Sequence, residues 1–382
     1  MKTNSVLLHI KEYIESKGYV FQPYYIDSLF LGLKSQSFVI LSGNAGVGKT
    51  SLARLFAESI GANPNNGRFL RVSVASDWTS PKPLLGFLSP DGNYVPGKIT
   101  DFLKAASSEP QLPYILCLDN FNISRPEHYM SPLLSALSAR QKVLGEVVPS
   151  IVCNRSDYGK DNAANLIYGD VSVSDNVFVI ATTSCDEVAY PISESVLDHG
   201  FVVEIENPDI TVKFNRDEKN IETLPLEEID NSFLVPEYFT SADCDSDFDY
   251  LRDISFDFEA FNKIIKHLPS PLGYRSRDAL LFYTAYSRRF DVFNNDSLID
   301  SLLMQKLLVR ISGVTTNVKN CLINLFQQCL KHESKENEYP NSSYKMYSAT
   351  MKSGCKYPRT AAKIIYMLRR FEEDGYATYW QR

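Results

Sequence analysis

Paired cysteines are missing from this 382-residue chain: Cys117, Cys153, Cys185, Cys244, Cys321, Cys329 and Cys355 are scattered, form no CxxC and leave an odd thiol under any complete pairing. That pattern argues against a disulfide framework and fits the reducing cytosol. Cys117 lies inside an apolar run, where a thiol serves as a small buried hydrophobe. The few histidines form no HxxxH and no Cys/His cluster, so a structural zinc site is not expected. No apolar run is long enough to span a bilayer, and Met1-Lys2-Thr3-Asn4-Ser5 opens no signal-like apolar region. The expectation is a cytoplasmic protein without membrane contact. Surplus basic charge is absent too: a net charge of −7 argues against a surface that coats nucleic acid, and any DNA contact must be local or borrowed from a partner. No Ser/His/Asp or Cys/His grouping points to covalent catalysis, and no PD-and-ExK pattern points to a nuclease.

What is present is a complete phosphate-binding loop, Gly43-Asn44-Ala45-Gly46-Val47-Gly48-Lys49-Thr50, between the apolar run Phe38 to Leu41 and the helix-like stretch Ser51 to Ile60. Glycines such as Gly46 and Gly48 let the backbone turn tightly enough to aim N–H groups at phosphate oxygens, and a following helix adds the positive end of its dipole. In that pattern Lys49 reaches the β- and γ-phosphates and the Thr50 hydroxyl ligates Mg²⁺, with Ser51 completing the cradle.

The length exceeds one hydrophobic core, so two packed units are expected. Val6 to Lys17 has helical apolar spacing ending at Gly18, within an N-terminal helical segment over 1–32. Arg68 to Val74, Tyr114 to Asp119 and Val177 to Thr182 read as buried strands. Continuous apolar strands alternating with helices predict an α/β domain over 33–206 with a parallel sheet flanked by helices. From 207 to 253 the chain turns acidic and aperiodic, with Asp243, Asp245, Asp247 and Asp249 alternating; it reads as an insertion or linker, and a calcium loop lacks its glycine and closing glutamate. Helical patterns at Phe256 to His267, Arg277 to Phe290, Ser297 to Ile311, Val318 to His332 and Thr360 to Asp374 predict an all-helical lid and C-terminal domain over 254–382. Glu333 to Ser348 reads as a polar, mobile loop. Near the C-terminus Arg369 and Arg370 are followed by Glu372, Glu373 and Asp374, the spacing of a self-paired exposed face.

Nucleotide chemistry needs an acidic residue at the end of a neighbouring buried strand, and Asp119 stands there, beside Thr50 as a magnesium-holding residue. The succession of the phosphate loop, Asp77-Trp78-Thr79, Leu84-Leu85-Gly86, Tyr94-Val95-Pro96-Gly97, Leu118-Asp119-Asn120-Phe121-Asn122, Ile180 to Glu187, Val196-Leu197-Asp198-His199 and Gly273-Tyr274-Arg275 resembles the McrB family, AAA+ nucleoside triphosphatases of modification-dependent restriction systems. Tyr357-Pro358-Arg359-Thr360 and the stretch Leu368 to Tyr376 extend the likeness over nearly the whole chain outside the acidic stretch. The resemblance implies a P-loop AAA+ fold, a ring binding GTP or ATP with Mg²⁺ between adjacent subunits, and a McrC-like nuclease docked on that ring. The base is left open.

Three residues depart from that family's pattern. Asn120 stands where it has the water-activating glutamate, Ser184 where it has the sensor asparagine, and His199 where it has an arginine directed at a neighbour's γ-phosphate. An amide is no general base, a contribution of about 10²- to 10⁴-fold, and a neutral imidazole does not replace a guanidinium. Weak hydrolysis is the expectation; Glu127 reads first as a solvated or helix-capping residue and second as a substitute base, and Arg275 matches the family's second sensor. The chain leaves little room before the motor for a base-reading domain, so target recognition is expected from another protein. The alternatives are a non-catalytic, nucleotide-locked scaffold subunit and a MoxR-like chaperone ATPase. Trp78 is expected in the core, and Lys98 in solvent.

Overall fold

The structure, a computed structural model, describes residues 3–143, 146–183, 189–208, 221–223, 231–268, 271–331 and 340–380. The chain divides into two compact units, Met1–Phe239 and Thr240–Arg382.

The first unit opens with helices α1 (Thr3–Ser16) and α2 (Pro23–Gln36) and runs through β1 (Phe38–Ser42), α3 (Lys49–Ser59), β2 (Phe69–Ser73), α4 (Thr100–Ser108), β3 (Tyr114–Asp119), α5 (Ser131–Ser138), β4 (Val177–Thr182), α6 (Glu194–His199) and β5 (Phe201–Glu204). These five strands make a sheet in the order β5-β1-β4-β3-β2, and every pairing is parallel. The cause is the composition of the strands. In β1, β3, β4 and β5 every residue is buried, as in a sheet covered on both faces. Strand β2 lies at the edge and is covered less completely, with Phe69 and Val72 buried, Leu70 half-buried and Arg71 and Ser73 exposed.

Among the described residues three antiparallel pairings interrupt this plan: Gly86–Leu88 with Tyr94–Pro96, Gln141–Val143 with Glu146–Val148, and Ser150–Cys153 with Val171–Val173. Trp78 packs in the core, 5% exposed and edge-to-face with Tyr129 at 5.4 Å. Lys98 is exposed, as expected, with its ammonium 5.0 Å from the centroid of the Trp78 ring. After the undescribed residues of the acidic stretch, the chain returns to the same unit. There the buried Lys34 ammonium donates to the carbonyls of Ser232 (2.6 Å) and Val235 (2.7 Å) and pairs with Glu237 at 3.1 Å.

The second unit is helical: α7 (Phe248–Ile265), α8 (Tyr274–Arg289), α9 (Asn295–Leu302), α10 (Thr316–Cys329), α11 (Ser343–Ser353) and α12 (Pro358–Asp374), with one two-residue pairing of Ser312–Gly313 and Ala377–Thr378. Three sequence expectations change here. The acidic stretch is not linker to its end, because Ser241–Asp247 forms 3₁₀ turns and α7 begins at Phe248. The loop expected through Ser348 folds into α11 from Ser343; Ser342 caps it by accepting from Lys345 N–H, and the Ser343 N–H donates to Glu372 (3.1 Å). With only Met346 buried, that helix leaves almost no apolar period to read. The expected single helix to Ile311 ends at Leu302 and continues as a π turn, Leu303–Leu307, and a 3₁₀ turn, Leu308–Arg310. On α12 the expected self-paired charges form: Arg369 with Glu373 (2.8 Å) and Arg370 with Asp374 (2.9 Å). No helix among the described residues is long and apolar enough to cross a membrane.

Candidate nucleotide site

The loop from Gly43 to Gly48 joins β1 to α3 at the carboxyl ends of the parallel strands, the place where open α/β sheets bind ligands. Its glycines are conformationally required. Gly43 has φ +140°, and a Cβ there would collide with the Ile205 carbonyl oxygen. Gly46 (φ +82°) and Gly48 (φ +96°) take the left-handed region closed to most side chains. Asn44, Ala45 and Gly46 are exposed, while Val47 is buried and pins the loop to the core. Asn44 Nδ2 donates to Asn207 Oδ1 (3.1 Å).

Lys49, buried at the first turn of α3, turns its ammonium back over the loop and donates to the carbonyls of Gly43 (2.8 Å) and Asn44 (2.7 Å). Thr50 Oγ1 donates to Asp119 Oδ1 at 2.8 Å. Sheet register explains that meeting: Asp119 ends β3 one residue beyond the Leu118–Ala181 pairing, beside Thr182 of β4. Thr182 Oγ1 donates to the same Oδ1 (2.7 Å) and accepts from the Asn120 N–H (3.1 Å). The other carboxylate oxygen, Oδ2, accepts from Arg71 Nε (3.0 Å) and from an Arg71 Nη. Burial pushes the Asp119 carboxyl upward, but the hydrogen bonds of Thr182, Arg71 and Thr50 and the guanidinium charge outweigh it and hold the group below the ordinary carboxylate range. Cys117, fully buried on β3, has its thiol pushed up to about 12 by burial, with Asp119 adding to the rise, which keeps it inert.

Thr50 and Asp119 are hard oxygen donors in contact, and this pair fits Mg²⁺, which takes few protein oxygens and completes its shell with water and phosphate. Among the described residues no group of three or more His, Cys, Asp or Glu could hold a metal by itself.

Asn120 follows Asp119 in a left-handed conformation (φ 53°) with its side chain exposed. His199 ends α6, and its Nδ1 is hydrogen-bonded to the Ser138 hydroxyl of α5. Ser184 lies outside the described residues. Arg275 is exposed on the first turn of α8, in the second unit. The Glu127 Oε2 atom is buried without a hydrogen-bond partner among the described residues, at the start of the short helix Pro126–Tyr129.

Sequence reasoning overlooked Arg71, Thr182, Tyr19 and Phe21. Tyr19 and Phe21 stack with centroids 6.0 Å apart; the Phe21 ring lies 3.0 Å from where a Gly48 Cβ would be, and Ser51 Oγ donates to Tyr19 OH (3.3 Å). The legible signal for Arg71 was an arginine set between the apolar residues Phe69, Leu70 and Val72, two residues before the end of β2. The two aromatics precede the loop by more than twenty residues, and nothing local links them to it.

Residues 39–198 match the family model of the AAA ATPases, the ATPase family associated with various cellular activities. Residues 226–376 match a family model described as a domain of unknown function, DUF8727. No curated protein matches the chain. The first unit therefore carries an AAA nucleotide-binding domain in a fold of that class: a five-stranded parallel sheet flanked by helices, with a helical C-terminal region following it.

Proposed function

We propose that this chain is the nucleoside-triphosphate-binding ring subunit of a McrB-like defence complex, and that its own hydrolysis is weak. The observation that carries the binding half is the convergence of Lys49, Thr50 and Asp119 on one loop mouth: an ammonium resting on loop carbonyls and a hydroxyl bonded to a carboxylate. Lys49 exchanges its two carbonyl acceptors for β- and γ-phosphate oxygens, the N–H groups of the loop to Thr50 and Ser51 hold the phosphates, and Thr50 with Asp119 holds the metal side. A bound Mg²⁺ supplies charge neutralisation between the phosphates. The stacked Tyr19 and Phe21 rings offer the base an apolar face at the N-terminus of α3, one that accepts the π-face of guanine and adenine alike; GTP and ATP are both candidates.

The hydrolysis half rests on chemistry and backbone. Asn120 carries an amide where a carboxylate base is needed, and His199 spends one ring nitrogen on Ser138 where a guanidinium is needed for a neighbour's phosphate. Assembly into a ring, a McrC-like nuclease partner and DNA contact through that partner follow from the McrB resemblance. Hydrolysis of ATP and GTP with Mg²⁺ by the purified chain tests the reading: turnover near background is expected, rising in the double variant Asn120→Glu/His199→Arg. Fast turnover by the wild type that Asn120→Glu leaves unchanged would sink it. Co-purification with a McrC-like nuclease separates this assignment from a MoxR-like chaperone.

A further inference from the structure

We propose that Arg71 is a built-in counter-cation of the metal side of the site, holding Asp119 in the metal-free state and setting how strongly triphosphate binding depends on Mg²⁺. The inference rests on the triphosphate reading and deepens it by naming a residue that tunes it.

An ionised carboxylate has about four lone-pair positions. In Asp119 all are used: Oδ1 accepts from Thr50 (2.8 Å) and Thr182 (2.7 Å), and Oδ2 accepts from Arg71 Nε (3.0 Å) and an Arg71 Nη. A hydrated metal beside Thr50 needs a carboxylate acceptor for its waters, so one donor must leave. Thr50 can keep its O–H on the carboxylate while an oxygen lone pair faces the metal, and Thr182 is 1% exposed and fixed by its strand, whereas the Arg71 side chain is 55% exposed, at the edge of the sheet. Arg71 is the donor free to go. Its departure is a cost that the metal must meet, and its charge opposes a second cation nearby. Without metal the balance reverses, because a guanidinium two residues from the carboxyl end of β2 supplies the planar, multi-donor charge that phosphate oxygens accept. Arg71 is thus a positioning residue acting through Asp119, and its signature is an altered ratio between metal-free and metal-bound affinity.

The test is fluorescence titration of the full chain with N-methylanthraniloyl-labelled ATP and GTP, in Mg²⁺ and in EDTA. Wild type is compared with Arg71→Gln, with Arg71→Lys, and with Arg54→Gln as a control removing an exposed charge paired to Glu58 on α3. The ratio of metal-free to magnesium Kd is expected to widen about tenfold in Arg71→Gln, the scale of one charge-assisted hydrogen bond, and about threefold in Arg71→Lys, which keeps the charge but loses the fork. Arg54→Gln should match wild type. Should the glutamine variant lose its far-ultraviolet circular dichroism, the lysine variant decides alone. Magnesium-dependent binding with a ratio unmoved in both Arg71 variants overturns the role of Arg71 and leaves the site reading standing. No binding by wild type in either condition overturns both.

Discussion

Asn120 is held at φ 53°, where asparagine is among the few side chains tolerated, so the residue that removes a general base also suits the turn leaving β3. Asn120→Gly is expected to change unfolding free energy by only a few tenths of a kcal/mol, and Asn120→Val to cost about 1–2 kcal/mol, measured by urea denaturation. Asp119 gives a pH signature. Its folded pKa lies below its unfolded value, so the unfolded chain binds the extra proton and stability rises with pH between the two; the contribution is complete above the ordinary carboxylate range and lost as pH falls through the folded value. Asp119→Asn should flatten the acid side of the stability curve, whereas an unchanged curve would show that this network does not respond to acid. At this scale the sequence disclosed Lys49, Thr50 and Asp119 because their spacing is a local pattern. Thr182 and Arg71 were hidden because they reach Asp119 only through the register of parallel strands distant in sequence.

Helix α12 shows how one side chain can start an element from elsewhere in the chain. Tyr357 provides no side-chain cap, and the buried carboxylate of Asp300 on α9 accepts instead from the N–H groups of Arg359 (3.1 Å) and Thr360 (2.8 Å). Removing it in Asp300→Ala should destabilise the second unit by about 1–2 kcal/mol in thermal denaturation, and a change within a few tenths would mean that the two donors find another acceptor. Gly48→Ala should be damaging at the other end of the molecule's secondary structure: the backbone is left-handed and the added methyl meets Phe21, so nucleotide affinity is expected to fall while circular dichroism is kept. Strands β1, β3 and β4 were readable because each is a continuous apolar run of strand length, too short for a buried helix and alternating along the chain with helical stretches. The hairpin Ser150–Cys153 with Val171–Val173 was not, since its strands are short and their pairing spans an intervening 3₁₀ turn and helix.

For the molecule as a whole, the AAA match over 39–198 lies within the first unit, while the match to a domain of unknown function begins before the Phe239/Thr240 division and runs to residue 376. A ring that closes over nucleotide predicts that solution mass rises when ATP or GTP with Mg²⁺ is added; a mass equal with and without either nucleotide would leave the ring without support. Length made two units readable, because 382 residues exceed what one core organises. The division itself was obscured, because residues 231–239 return to the first unit through Lys34 although they belong to the acidic stretch. All of this depends on the loop gripping a triphosphate, which isothermal titration of ATP and GTP with Mg²⁺ into wild type and Lys49→Ala measures directly. Saturable heats are predicted for the wild type with at least one nucleotide, weakened about tenfold or more when the ammonium is removed; indistinguishable heats from the two proteins would contradict the account.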